Sequence, residues 1–284
     1  MTVGKVFLVG AGPGDPGMIT VKGRECIERA DVVVYDYLSN VELLQWAKPD
    51  AELIYAGKKS KDHTLKQHEI NALLVEKTRE GKTVTRLKGC DPMIFGRGGD
   101  EGQELEEAGV RFEIVPGISS SIAGPAYAGI PVTHREFNSQ LTILTGHEDP
   151  TKGESSIDYE KIAKTDGTLV MLMGVERLGA ICDSLMKHGM PAERPMGLVR
   201  WATTGRQETL VTTVGEAADD VAKADFKAPA VIVIGEVVGL RDQLNWFEKR
   251  PLFGKRLVVT RTRKQAGVLS KKLAELGADV LELP

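Results

Sequence analysis

Cysteine is scarce in this chain. Cys26, Cys90 and Cys182 are the only three among 284 residues, far apart and without a CxxC pair. That excludes a disulfide framework and suits reduced thiols in the cytoplasm. A basic excess is missing too: the formal net charge is −3, which argues against a nucleic-acid binder working by bulk electrostatics. It leaves room for a local basic pocket that takes an acidic small molecule. Long apolar runs are absent. The longest, such as residues 228–235, are far too short to cross a bilayer, and the opening MTVGK leads into a strand-like run with no leader signal. Internal repeats and low-complexity tracts are lacking. So are a GxSxG elbow, a GxxxxGK[ST] loop and a kinase set. His63 and His68 stand five apart, which does not gather them on one helix face, and no metal site is expected.

What is there is ordinary globular material, 42% hydrophobic and 27% charged, long enough for two domains. Apolar runs rich in β-branched residues alternate with helix-like segments. Strands are expected near residues 3–9, 31–35, 53–56, 83–87, 110–115, 141–145, 168–172, 196–200 and 230–234. Thr20 reads as the N-cap of a helix reaching Ala30. A second helix is expected over 65–80, with Ile70, Leu73 and Leu74 on one face and Gly81 as its stop. Continuous apolar strands alternating with helices mean an α/β layered protein. The polar, turn-rich stretch EDPTKGESS, residues 148–156, is the best internal boundary, giving domains over 1–147 and 148–250. Residues 251–284 form a tail with a strand around 255–260, a helix over 264–276 and a further strand at 280–283. One such unit cannot bury its own faces.

Chemistry concentrates after the strands. Gly10-Ala11-Gly12-Pro13-Gly14-Asp15 follows the first strand with spacing GxGxG, and Asp15 stands where a dinucleotide fingerprint needs its third glycine. Asp36 ends the second strand, as a pocket carboxylate or a helix N-cap. Residues 86–99, RLKGCDPMIFGRGG, combine glycines, the acid Asp91 and the cations Arg86, Lys88 and Arg97. A surface turn needs no such mixture. Asp91 could accept hydrogen bonds from a ligand, and Arg97 could fork onto a carboxylate. Ser119 and Ser120 open a helix at a strand's C-terminal edge, where open α/β sheets bind ligands. His134 and Arg135 add cations on a following loop.

VGAGPGDPGMIT, VVVYD, AGKKSKDH, RLKGCDPMIFGRGG, VPGISS, AYAGIPVTHR, LTGHED, MLMGV and APAVIVIGEVV, in this order over residues 3–249, resemble the tetrapyrrole (precorrin) methylases. Among these the likeness is strongest to the uroporphyrinogen-III C-methyltransferases. The resemblance implies a two-domain methylase fold, each domain a mixed sheet flanked by helices, with the active site in the cleft between them and a homodimer as the assembly. It implies S-adenosylmethionine as methyl donor and uroporphyrinogen III as substrate, methylated twice to precorrin-2. Carried over by motif, cofactor contacts fall on Pro13, Gly89, Cys90, Asp91, Ile94, Ser119, Ser120, Met173, Ala202 and Ala230. The acid–base pair falls on Asp36 and Lys58. Arg97, His134 and Arg135 would meet the substrate's carboxylates. The family usually has GGDP where this chain has Gly89-Cys90-Asp91-Pro92, so a positive φ at Cys90 would store strain. The tail resembles the opening of uroporphyrinogen-III synthase, whose first strand ends in a Thr-Arg pair, here Thr260-Arg261. Competing readings are another precorrin methylase, a non-catalytic S-adenosylmethionine-binding module, and an NAD-dependent dehydrogenase, the last disfavoured by the loop spacing.

Overall fold

The computed structural model describes residues 4–57, 65–148, 155–260 and 263–283. Two compact units divide the chain, Met1–Ser120 and Ser121–Pro284.

The first unit runs β1 (Lys5–Gly10), α1 (Val21–Arg29), β2 (Val32–Tyr35), β3 (Glu52–Tyr55), α2 (Gln67–Arg79), β4 (Thr83–Lys88), α3 (Gly98–Glu107) and β5 (Phe112–Val115). Its sheet has the order β3-β2-β4-β1-β5 and is parallel throughout. Parallel strands covered on both faces need apolar side chains both ways, and the chain supplies them. Phe7, Val9, Leu87 and Val115 pack towards Cys26 and Ile27 of α1. Val6, Leu8 and Val84 pack towards Leu74 of α2 and Leu105 of α3. Thr20 caps α1, its Oγ1 accepting from the Gly23 amide at 3.0 Å. At the start of α2 the Lys66 amide donates to Glu69 at 2.5 Å. Both caps satisfy amides that a helix N-terminus leaves open.

The second unit opens as α4 (Ser120–Tyr127) gives way to β6 (Leu141–Thr145). There follow α5 (Tyr159–Ala163), β7 (Thr168–Leu172), α6 (Leu178–Lys187), β8 (Pro195–Arg200), β9 (Glu208–Thr213), α7 (Ala217–Lys223), β10 (Ala230–Ile234) and α8 (Arg241–Leu244). The sheet order is β6-β7-β10-β8-β9, with β6 parallel to β7 and every other pairing antiparallel. Leu169, Met171 and Ile232 face a core shared with Ile181 and Leu185 of α6. Val170, Val199 and Val233 face Ala128, Ile130 and Val237. The tail adds β11 (Arg256–Val259), α9 (Arg263–Glu275) and β12 (Asp279–Glu282), with β11 parallel to β12.

The division of the chain differs from the expected one. The units part at Ser120 and Ser121, not at 147 and 148. β6 pairs with β7 along its whole length, so residues 141–145 belong to the second sheet. The edge strand β9 was not expected: its only buried residue is Thr212, so no apolar face announces it. No described helix is long and apolar enough to cross a membrane.

Candidate active site

β1 and β4 are neighbours, yet the chain leaves β1 for β2 on one side and leaves β4 for β5 on the other. Where connections diverge like this, the strand ends open a ligand crevice. The glycine loop after β1, the loop over 89–97 after β4 and residues 116–120 after β5 all stand at that edge. Their backbones are stitched together. The Ala11 amide donates to the Lys88 carbonyl at 2.7 Å, the Cys90 amide to Gly12 O at 2.8 Å, and Gly12 N to Cys90 O at 3.3 Å. A β-carbon at Gly10 would lie 2.5 Å from Gly117 Cα, and one at Gly117 only 2.4 Å from Cys90 O. The glycines serve loop-to-loop contact. Amides already paired in this way cannot cradle a pyrophosphate, as the GxGxG spacing implies. Asp15 caps the next turn, accepting from Gly17 N at 2.8 Å.

Asp36, directly after β2, keeps a quarter of its side chain exposed. Its Oδ1 accepts from Leu38 N at 3.1 Å, Ser39 N at 3.1 Å and Ser39 Oγ at 3.0 Å. Both its oxygens also lie 3.3 Å from Gly89 N, which ties the end of β2 to the loop after β4. It therefore caps the turn over residues 37–39, while the N-cap of the helix that follows is Asn40. Lys58 lies outside the described residues.

Asp91 is buried and its carboxylate is committed to the protein. One oxygen accepts from Met93 N at 2.7 Å and Ile94 N at 3.2 Å, the other from Gly117 N at 2.9 Å. It shapes the site by fastening the β4 loop to the β5 loop, rather than offering free oxygens to a ligand. Cys90 has φ 63, the left-handed region that costs a residue with a β-carbon. Burial pushes its thiol up from the ordinary value, opposed by a hydrogen bond with Ser120. Around this edge the apolar side chains of Leu38, Ile94 and Ile118 stand exposed. Pro13 and Ser120 are half-buried and Ser119 is buried.

Arg97 has φ 59 at the start of α3 and projects into solvent, 67% exposed, 3.5 Å from Asp100. Arg86 and Lys88 share that stretch of sequence with it, but the structure separates them from it. Both are about 4% exposed on the face of β4 beneath α2 and α3, and Glu101 of α3, fully buried, receives them. Burial, then the neighbouring Arg86, hold Lys88 below the usual lysine range, while Glu101 opposes the shift. This buried ionic set escaped the sequence reading. Its signal was two cations at alternate positions of a strand that lies between two other strands.

In the second unit, Met173 follows β7 with φ 57, Ala202 follows β8, and Ala230 begins β10. Leu172 pairs with Val231 and Arg200 with Ala230, which brings the three to one edge of that sheet. Trp201 and Thr203 also have positive φ, 45 and 71, and sequence alone did not mark them. Gln207 braces this turn: its Oε1 accepts from Thr203 N at 2.9 Å, and its Nε2 donates to Tyr127 O at 3.2 Å and Glu248 at 2.9 Å. His134 Nδ1 accepts from Glu136 N at 3.3 Å, and Arg135 is exposed.

An α/β protein with a parallel sheet, a switch-point crevice and a second, mixed sheet is the class these features define. The family model for tetrapyrrole (corrin/porphyrin) methylases matches residues 5–218, and the chain belongs to that family. A uroporphyrinogen-III C-methyltransferase of Bacillus subtilis (strain 168) is 46% identical over all 284 residues, which cover 59% of that protein. The chain thus spans little more than half the length of this relative. A uroporphyrinogen-III C-methyltransferase of Priestia megaterium is 50% identical over 236 residues, 83% of this chain and 99% of that one. Among solved structures, uroporphyrin-III C-methyl transferase from Thermus thermophilus complexed with S-adenyl homocysteine has a TM-score of 0.71 at 37% identity, covering 83% of this chain and 99% of its own. Cobalt precorrin-4 methyltransferase has a TM-score of 0.73 at 28% identity, covering 82% of this chain and 95% of its own.

Proposed function

We propose that the protein is an S-adenosylmethionine-dependent C-methyltransferase that methylates uroporphyrinogen III twice, giving precorrin-2. The observation that carries this reading is the quarter-exposed carboxylate of Asp36 at the switch-point edge, hydrogen-bonded to Gly89 at the start of the loop after β4. Family membership and the names of relatives at about half identity support it. The residues suit the cofactor: exposed apolar Leu38, Ile94 and Ile118 stand at the same sheet edge as half-buried Ser120 and the Gly89–Asp91 backbone. S-adenosylmethionine would be held there, and the family's motifs give Met173, Ala202 and Ala230, at one edge of the second unit's sheet, as further contacts. When bound it supplies a methyl group on a positively charged sulfur.

The chain's own contribution is orientation and proton management. Holding two reactants in register gains effective molarities of roughly 10⁵ M or more. Asp36 is the base that takes the proton the macrocycle loses, with Lys58 as donor or carboxylate anchor. Arg97, His134 and Arg135 bind the carboxylates of the substrate, which explains local cations on a weakly acidic protein. The working assembly is a homodimer in the cytoplasm. An anaerobic assay with uroporphyrinogen III and methyl-labelled S-adenosylmethionine, followed by mass analysis, tests the reading. Two added methyl groups are expected. A product with none sinks it. Turnover of a later precorrin alone would favour the second reading, a different precorrin methylase, to which the likeness with cobalt precorrin-4 methyltransferase points.

A further inference from the structure

The buried ions beneath Asp36 have no part in the chemistry proposed above, and burying charge is costly unless it is paired. One oxygen of Glu101 accepts from Lys88 Nζ at 2.6 Å, from Gln67 Nε2 at 3.0 Å and from Arg86 Nε at 3.4 Å. The other side of the Arg86 guanidinium is held as well: Nη1 donates to Leu87 O at 3.1 Å and to Val34 O at 3.4 Å. A planar fork fixed at both Nε and Nη1 has one free direction, and along it Nη2 stands 3.7 Å from Asp36 Oδ2. Two cations, Arg86 and Lys88, thus face two anions, Glu101 and Asp36. Three of the four are almost fully buried and only Asp36 reaches solvent.

We infer that Glu101 is a positioning residue for the proposed reaction: it holds Arg86 against Asp36 and, balanced by Lys88, sets the proton affinity of that carboxylate from inside the fold. The inference rests on the reading of Asp36 as the base. The alternative is that the set merely fastens α2 and α3 to β4, through Gln67 and Asn71. A fastener would change stability when altered but would leave the titration of Asp36 where it was.

The signs separate the two. Tyr55 at the end of β3, Arg86 and Lys88 of β4, and Cys90 after it stand close enough to feel the charge of Asp36. Lys88→Met leaves the set one negative charge in excess, so Asp36 should hold its proton to higher pH. Glu101→Gln leaves a positive excess, so Asp36 should lose its proton at lower pH. The double variant restores balance and should return the midpoint towards the wild-type value. Shifts of about one pH unit are expected for the single variants, since charges in a low-dielectric interior act strongly.

The experiment is a ¹³C-carboxyl NMR titration of the full chain without ligand. The Asp36 resonance is identified by its loss in Asp36→Asn, and each variant is checked for folding by its melting transition. Opposite shifts in the two single variants support the inference. No shift, or shifts of one sign in both, overturns it. Should the buried variants fail to fold, the half-exposed Gln67→Lys carries the test. Its added cation beside Glu101 should lower the midpoint, and an unmoved midpoint in the folded protein overturns the inference. Turnover is measured separately: Asp36→Asn with unchanged kcat would sink the base assignment while leaving the titration result standing.

Discussion

Asp36 accepts hydrogen bonds from two local amides, a serine hydroxyl and the Gly89 amide, and asparagine in its place could keep most of them through its carbonyl oxygen. Charge is what Asp36→Asn removes. If the residue takes a proton in the reaction, that variant should lose 10²-fold or more in kcat, the usual scale of general-base catalysis, while S-adenosylhomocysteine binding by calorimetry stays within about threefold. Wild-type kcat would end the base assignment. Cys90 tests a different balance. Its φ of 63 costs a residue with a β-carbon about 1 kcal/mol, and glycine there removes that strain but loosens the unfolded chain by about as much. Cys90→Gly should therefore melt close to wild type and bind S-adenosylhomocysteine at least as tightly. A tenfold loss of affinity, about 1.4 kcal/mol, would mean that the thiol makes a useful contact.

The loops after β1, β4 and β5 act as one element, because they touch backbone to backbone. Gly117→Ala would drive its methyl to 2.4 Å from Cys90 O and 2.7 Å from Gly10 Cα, where no flexible side chain can yield. The loops must then separate, breaking the Gly12–Cys90 pairing. A loss of at least 2 kcal/mol in denaturant unfolding is expected, on the scale of overpacking strain, together with weakened S-adenosylhomocysteine binding. Gly99→Ala in α3 is the control, since a β-carbon there meets nothing within 4 Å; equal losses in both would refute the close-approach argument. Strand positions were legible in the sequence because 231–234 and 169–172 are apolar on both faces, and only a doubly covered strand needs that. Site residues at the strand ends were legible as motifs, but their tasks were not. Nothing in RLKGCDP says that Asp91 spends an oxygen on Gly117, or that Arg86 and Lys88 turn inwards to Glu101, because those partners lie 13 to 26 residues away. β9 stayed hidden for the opposite reason, an edge strand with one buried residue.

At the scale of the whole molecule, the tail is the part whose relation to methyl transfer is open to a direct measurement. It is folded against the rest of the second unit. Asp279 lies 3.8 Å from Arg206 and 2.6 Å from Arg256, the Phe247 and Phe253 rings are 5.6 Å apart, and a β-carbon on Gly205 would meet Asp279 N at 2.3 Å. Through Gly205 and Arg206 the tail touches the turn that carries Ala202, with Arg206 stacked 4.5 Å from the Trp201 ring. This turn has its own brace, however, in Gln207, Tyr127 and Glu248, all of which precede the tail. Truncation after Arg250 should accordingly leave kcat/KM for methyl transfer within about threefold, under roughly 1 kcal/mol of transition-state energy. Stability should suffer more than rate, because Phe247, now buried at 3% exposure, loses its cover on the Phe253 side, and a lower Tm should register that. A drop in kcat/KM beyond tenfold at equal folded fraction would mean that the Arg206–Asp279 contact holds the Ala202 turn in its working shape, and the tail would then count as part of the site.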